Sequence, residues 1–101
     1  MIQRVIHYYY SGQKSCEEYF LKPFFYHRLD GPAFSEWFEN GQKKCEIYFL
    51  DNRYHRTDGP AATYWTYDGS EKAEDYYLNG VRIYVKSLKD FKQYVKLLMF
   101  K

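Results

Sequence analysis

A repeat constrains this chain more than any other feature. The pairs Ser11-Gly12, Asn40-Gly41 and Asp68-Gly69 stand 29 and 28 residues apart. Similar sequence follows each: QKSCEEYFL from Gln13, QKKCEIYFL from Gln42 and SEKAEDYYL from Ser70. Ahead of each pair an aromatic holds one fixed offset, as Tyr8, Trp37 and Trp65. A period of this size marks stacked supersecondary units, none of which can bury its apolar face alone. In the central unit, runs of alternating polarity flank Asn40-Gly41, a hairpin signal because a two-residue type I′ turn needs positive φ at both central positions. Gly12, Gly41 and Gly69 are the expected turn glycines. The expected fold is an all-β antiparallel meander of about seven strands, with hairpin units near 5–33, 34–61 and 62–86 in a single domain, 1–101.

With two-residue turns, period-two geometry sorts the strand residues onto two faces. One carries Tyr8/Ser15/Glu17/Tyr19, Trp37/Lys44/Glu46/Tyr48 and Trp65/Lys72/Glu74/Tyr76. The other carries Cys16 and Phe20, Cys45, Ile47 and Phe49, and Ala73 and Tyr77. A one-residue change in a turn exchanges the sets, so which face is inside stays open.

Connections from Leu21 to Ala33 and from Leu50 to Ala61 join the units, the first one residue longer and expected to bulge outward at Pro23. Each ends in the same block, His27-Arg28-Leu29-Asp30-Gly31-Pro32-Ala33 and His55-Arg56-Thr57-Asp58-Gly59-Pro60-Ala61. Asp30-Gly31-Pro32 and Asp58-Gly59-Pro60 are turn chemistry and set where each new strand begins. After Asn79-Gly80 a last strand, Val81 to Val85, precedes a capping helix expected over 87–100. Ser87 is its N-cap with Asp90 three residues on, and Leu88, Phe91, Tyr94, Val95 and Leu98 form one stripe. Lys89, Lys92 and Lys96 lie off that stripe as its solvated face.

Aromatic residues make up 23% of the chain, 13 of them Tyr, so the apolar surface is mostly rings with polar tips, suited to a thin, half-exposed sheet. A net charge of +2 is too even to announce a nucleic-acid or membrane partner. No apolar run is long enough to span a bilayer, and Met1-Ile2-Gln3-Arg4 does not lead into a secretory signal. Two Cys without such a signal imply a reducing, cytoplasmic setting and no disulfide framework.

His27-Arg28-x-Asp30 and His55-Arg56-x-Asp58 share residue types with the His-Arg-Asp of protein kinases, but the spacing differs and no nucleotide loop accompanies them. A catalytic group is needed once and this block occurs twice, so no catalytic residue is expected. Arg and Asp are expected to bridge adjacent hairpins while His fills the loop. Cys16, His27, Cys45 and His55, at spacings of 11, 18 and 10 residues, match no zinc pattern, so neither metal nor cofactor is expected. Trp37, Trp65, Tyr48 and Tyr76, with Arg28 and Arg56 nearby, are the candidate binding residues, because surplus aromatic surface beside Arg is the composition of protein-interface hot spots. The same surface could stack single-stranded nucleic acid or a nucleotide, but Glu17, Glu46 and Glu74 on that face would repel phosphate. Sheet edges make a homodimer a further expectation.

The pattern from Trp37 through Asn40-Gly41, Glu46 and Tyr48, followed by Asp58-Gly59-Pro60-Ala61, resembles the degenerate MORN-type repeat. That variant is common in antitoxin-like bacterial proteins and in small proteins of phages and large DNA viruses. The HRxDGPA block and the Tyr77-Leu78-Asn79-Gly80-plus-helix ending are typical of the viral and phage versions. The resemblance covers roughly residues 5–86 and implies a non-enzymatic interaction module. It extends by analogy to an inhibitor of host defence, such as an anti-CRISPR or antitoxin-like protein. The better-known MORN consensus has His-Gly-x-Gly where this chain has His-Arg-x-Asp-Gly, so lipid binding is not carried over.

Overall fold

A computed structural model describes residues 1–99. The strands are β1 (Gln3–Tyr8), β2 (Lys14–Lys22), β3 (Phe25–Tyr26), β4 (Phe34–Trp37), β5 (Lys43–Ile47), β6 (Phe49–Leu50), β7 (Arg53–Tyr54), β8 (Ala62–Trp65), β9 (Lys72–Leu78) and β10 (Val81–Ile83), followed by helix α1 (Leu88–Met99). The main sheet is antiparallel in the order β1-β2-β4-β5-β8-β9-β10, and β6-β7 forms a separate ribbon. This is the all-β meander with one terminal helix that the repeat demands. The expected helix end at Phe100 lies outside the described residues.

The turns correct one expectation. The Gly41 N–H donates to the Phe38 carbonyl at 3.0 Å and the Phe38 N–H to the Gln42 carbonyl at 2.8 Å. Only Gly41 of the Asn40-Gly41 pair has positive φ, at 90°. That is a three-residue loop with a left-handed glycine, not a type I′ turn. The added loop residue makes the register slip between Glu36 and Trp37, and a like slip follows His7. As a result Lys14 and Lys43, not Ser15 and Lys44, lie beside Trp37. Type I′ geometry occurs instead at Asn79-Gly80 (φ 50° and 83°) and Asp51-Asn52 (φ 50° and 64°).

Those turns show that the expected connections are themselves hairpins. Each unit ends in a short ribbon, β2-β3, β6-β7 or β9-β10. The extra residue of the first connection is Leu21, skipped where the pairing passes from Phe20↔Tyr26 to Lys22↔Phe25.

Neither face of the sheet is simply inside. The slab measures 50 × 37 × 17 Å. Register aligns Glu17, Ser35, Glu46, Thr63 and Glu74 in one row across it, and Ser35 and Thr63 in that row are buried. On the opposite face Cys45, Ile47 and Ala62 are buried. There the rings Phe34, Tyr26, Phe49, Tyr54 and Tyr77 pack in series at 4.9–5.9 Å between centroids. These terminal-hairpin rings, rather than the Trp or Glu-row Tyr residues, join one unit to the next. Helix α1 lies on the Glu-row face, with Phe91 4.7 Å from the Tyr76 ring. Its N-terminus is capped as expected, the Asp90 N–H donating to Ser87 Oγ at 3.1 Å.

Candidate functional site

The HRxDGPA block folds into the same clamp twice. Arg28 Nε donates to Asp30 Oδ1 at 3.0 Å and Nη1 to the Pro32 carbonyl at 3.1 Å. Arg56 does the same with Asp58 at 2.9 Å and Pro60 at 3.2 Å. Each guanidinium lies 4.0 Å from a ring centroid, Arg28 over Tyr19 and Arg56 over Tyr48, which is cation–π geometry. The glycines provide the room: a Cβ on Gly31 would stand 2.9 Å from Arg28 Cζ, and one on Gly59 2.8 Å from Arg56 Cζ. The hydrogen bond from Arg56 is the main reason the Asp58 carboxyl is held below its ordinary range.

Arg and Asp therefore lock their own loop, and histidine makes the bridge between units, the reverse of the expected roles. His27 Nδ1 accepts the Asp51 N–H at 3.0 Å, and His55 Nδ1 accepts the Asn79 N–H at 2.9 Å. Backbone bonds run alongside: Asn52 N–H to Tyr26 O and Gly80 N–H to Tyr54 O, both 2.8 Å. Replacing His55 by Ala removes this bridge and leaves the exposed Asn79 N–H to water, so a loss of about 0.5–1.5 kcal/mol is expected in urea unfolding, with a similar loss for His27→Ala. A change under about 0.5 kcal/mol would mean that the bridge does not matter.

On the Glu-row face, Lys14 and Lys43 each place Nζ 4.7 Å from the Trp37 ring centroid. The same cations are engaged by the row: Lys14 with Glu17 at 3.9 Å and Lys43 with Glu46 at 3.4 Å. Lys72 stands 3.6 Å from Glu74, and Arg4 2.6 Å from Glu17. Burial pushes the Glu17 carboxyl up, but the Arg4 hydrogen bond and the Lys14 charge outweigh it and hold the group below its ordinary range.

All six candidate binding residues lie on this face, in unequal states. Trp37, Trp65 and Tyr48 are half-buried. Arg28 and Arg56 are engaged in their clamps, and Tyr76 is 7% exposed beneath Phe91. Between the clamps runs an open groove of about 460 Å³ lined by Arg28, Leu29, Tyr48, His55, Arg56 and Asp58 among others. Sequence reasoning missed His27, His55, Lys14 and Lys43 as contributors; the signal for the histidines was their constant distance of 24 residues from Asp51 and Asn79.

Cys16 and Cys45 are free thiols on either side of Glu36 in the register. Burial and neighbouring glutamates push Cys16 up to about 11 and Cys45 up to about 12. Relative to an ordinary thiol, Cys16 should hold about a hundredfold less thiolate at neutral pH. Labelling by a disulfide reagent should be correspondingly slow in the folded chain and fast after denaturation; equal rates would refute the burial argument. Among the described residues no three His, Cys, Asp or Glu side chains converge as a metal set.

No family model, curated protein or solved structure matches the chain. Among the described residues no helix is long and apolar enough to cross a membrane.

Proposed function

We propose that this chain is a non-catalytic protein-binding module that acts by occupying a partner protein's surface. The observation that carries the reading is the Glu-row face, where half-buried Trp rings stand among cations already engaged by Glu17, Glu46 and Glu74. Nucleic-acid affinity grows with cations free to replace counterions, and here Arg4, Lys14, Lys43 and Lys72 are drawn onto Glu17, Glu46 and Glu74 within the chain. Aromatic surface on a thin slab, with its cations largely paired within the chain, suits a protein interface. The MORN-type resemblance extends the proposal to a phage or mobile-element inhibitor of a host defence protein, working in the host cytoplasm. Sheet edges β1 and β10 offer strand pairing in trans, including to a second copy.

The test is a titration of the native chain against a fluorescent single-stranded oligothymidylate at about 50 and about 200 mM salt. No saturable binding is expected at either. Tight binding that collapses with salt would replace the proposal with single-stranded nucleic-acid recognition.

A further inference from the structure

The three terminal hairpins are internal controls for one another, and one departs from the others where it faces away from the array. Counting back from His27, His55 and Ile83, the turn pairs are Pro23-Phe24, Asp51-Asn52 and Asn79-Gly80. The second residue of each pair is left-handed, with φ of 64° at Phe24, 64° at Asn52 and 83° at Gly80. Asn and Gly suit that conformation, whereas a bulky side chain there is an outlier. In the second and third units the turn backbone is held by the preceding unit, through Asp51 and Asn79 N–H on His27 and His55 and through Asn52 and Gly80 N–H on Tyr26 and Tyr54. The first hairpin is not equipped for that role, because Pro23 has no N–H to donate.

The Phe24 ring buries little of its surface in the fold in return for this strain. It is 85% exposed, and the sister hairpins, which are type I′ turns that Pro23 cannot form, place Asn52 and Gly80 at the same left-handed position. Strain kept at an exposed aromatic points outward, to function. From Tyr19 to Tyr26 the ribbon carries one cation, Lys22, and no anion. Its tip is a rigid proline turn presenting one phenyl ring.

We propose that Phe24 is an external anchor, inserted into an apolar, acid-rimmed pocket on another protein. One ring offers too little apolar area to hold a chain on a bilayer, whereas a preorganised aromatic knob is what protein hot spots use. The proposal rests on the protein-binding reading above and adds the contact point.

The first measurement is thermal unfolding of Phe24→Asn, the sister residue. Its midpoint should equal or exceed that of the native chain, as relief of the left-handed strain requires; a lower midpoint would place the ring in the fold and overturn the anchor. The second measurement places a photoreactive benzoylphenylalanine at position 24, 37, 52 or 65 of the full chain, expressed in the cells that carry the gene. Position 24 should give one discrete protein adduct that position 52 does not. Excess native chain should compete it away, and the Phe24→Asn chain should do so at least about thirty-fold less well. An adduct only from 37 or 65 would leave protein binding standing and remove the anchor. No adduct from any position would remove both. An adduct at twice the chain's own mass, or equal loss of competition by phosphatidylserine vesicles, would assign the ring to a second copy or to lipid and overturn the proposal.

Discussion

Phe91→Ala should lower folding stability by about 3–5 kcal/mol, the usual range for emptying a buried aromatic site. Among the described residues Phe91 is the only large side chain with no exposed surface, and it covers the Tyr76 ring at 4.7 Å. The three units make its role clear. Tyr19 is covered by Arg28 and Tyr48 by Arg56. At the position where a third Arg would fall, the chain has Tyr84, which is 81% exposed. The helix therefore completes the row by bringing in a ring from outside it. Urea unfolding followed by far-ultraviolet circular dichroism should show the helical signal lost first, while the sheet signal persists. A loss of less than about 1 kcal/mol would mean that the helix is held by something else. Phe91→Leu should fall between the two.

Gly59→Ala should cost about 1–3 kcal/mol, for a reason unlike that of the turn glycines. At Gly41, φ is 90° and an added Cβ would strain the backbone. At Gly59 the obstacle is Arg56 itself, 2.8 Å from where the Cβ would stand. The guanidinium must leave Tyr48, Asp58 and the Pro60 carbonyl together. A double-mutant cycle isolates this: in an Arg56→Ala background the penalty of Gly59→Ala should nearly vanish. The acid limb gives a second readout. The Asp58 carboxyl is depressed in the native chain, so its share of stability is present above the ordinary carboxylate range and is lost as pH falls through the folded value. In Gly59→Ala that share should be gone, with Asp58 titrating in its ordinary range by NMR. An unmoved Asp58 would show that Arg56 had not been displaced.

The strand architecture was legible because one local pattern appears in three copies, each agreeing with the others about where a turn belongs. The helix was legible from Ser87 and its apolar stripe. Turn type was not: two and three residues after Trp37 differ only in backbone dihedrals, yet the difference exchanges Lys44 for Lys43 beside the ring. The ribbon at Asp51-Asn52 lacks the Asn-Gly signature and emerges only by alignment with Asn79-Gly80. The division of labour in HRxDGPA was hidden because Arg and Asp bond within five residues, whereas His reaches 24 residues along the chain. Composition suggested a thin sheet, but the partial covering of both faces, one by folded-back ribbons and the other by clamps and a helix, is a tertiary outcome that periodicity does not encode.

The histidine bridges join each unit only to the next. A molecule assembled from such nearest-neighbour couplings has no central keystone, so its length is an adjustable quantity. Duplicating the middle segment in frame would hand each new junction the same imidazole, the same ring contact and the same backbone pair it needs. Growth by copying thus enlarges the available surface without any redesign of what holds it together.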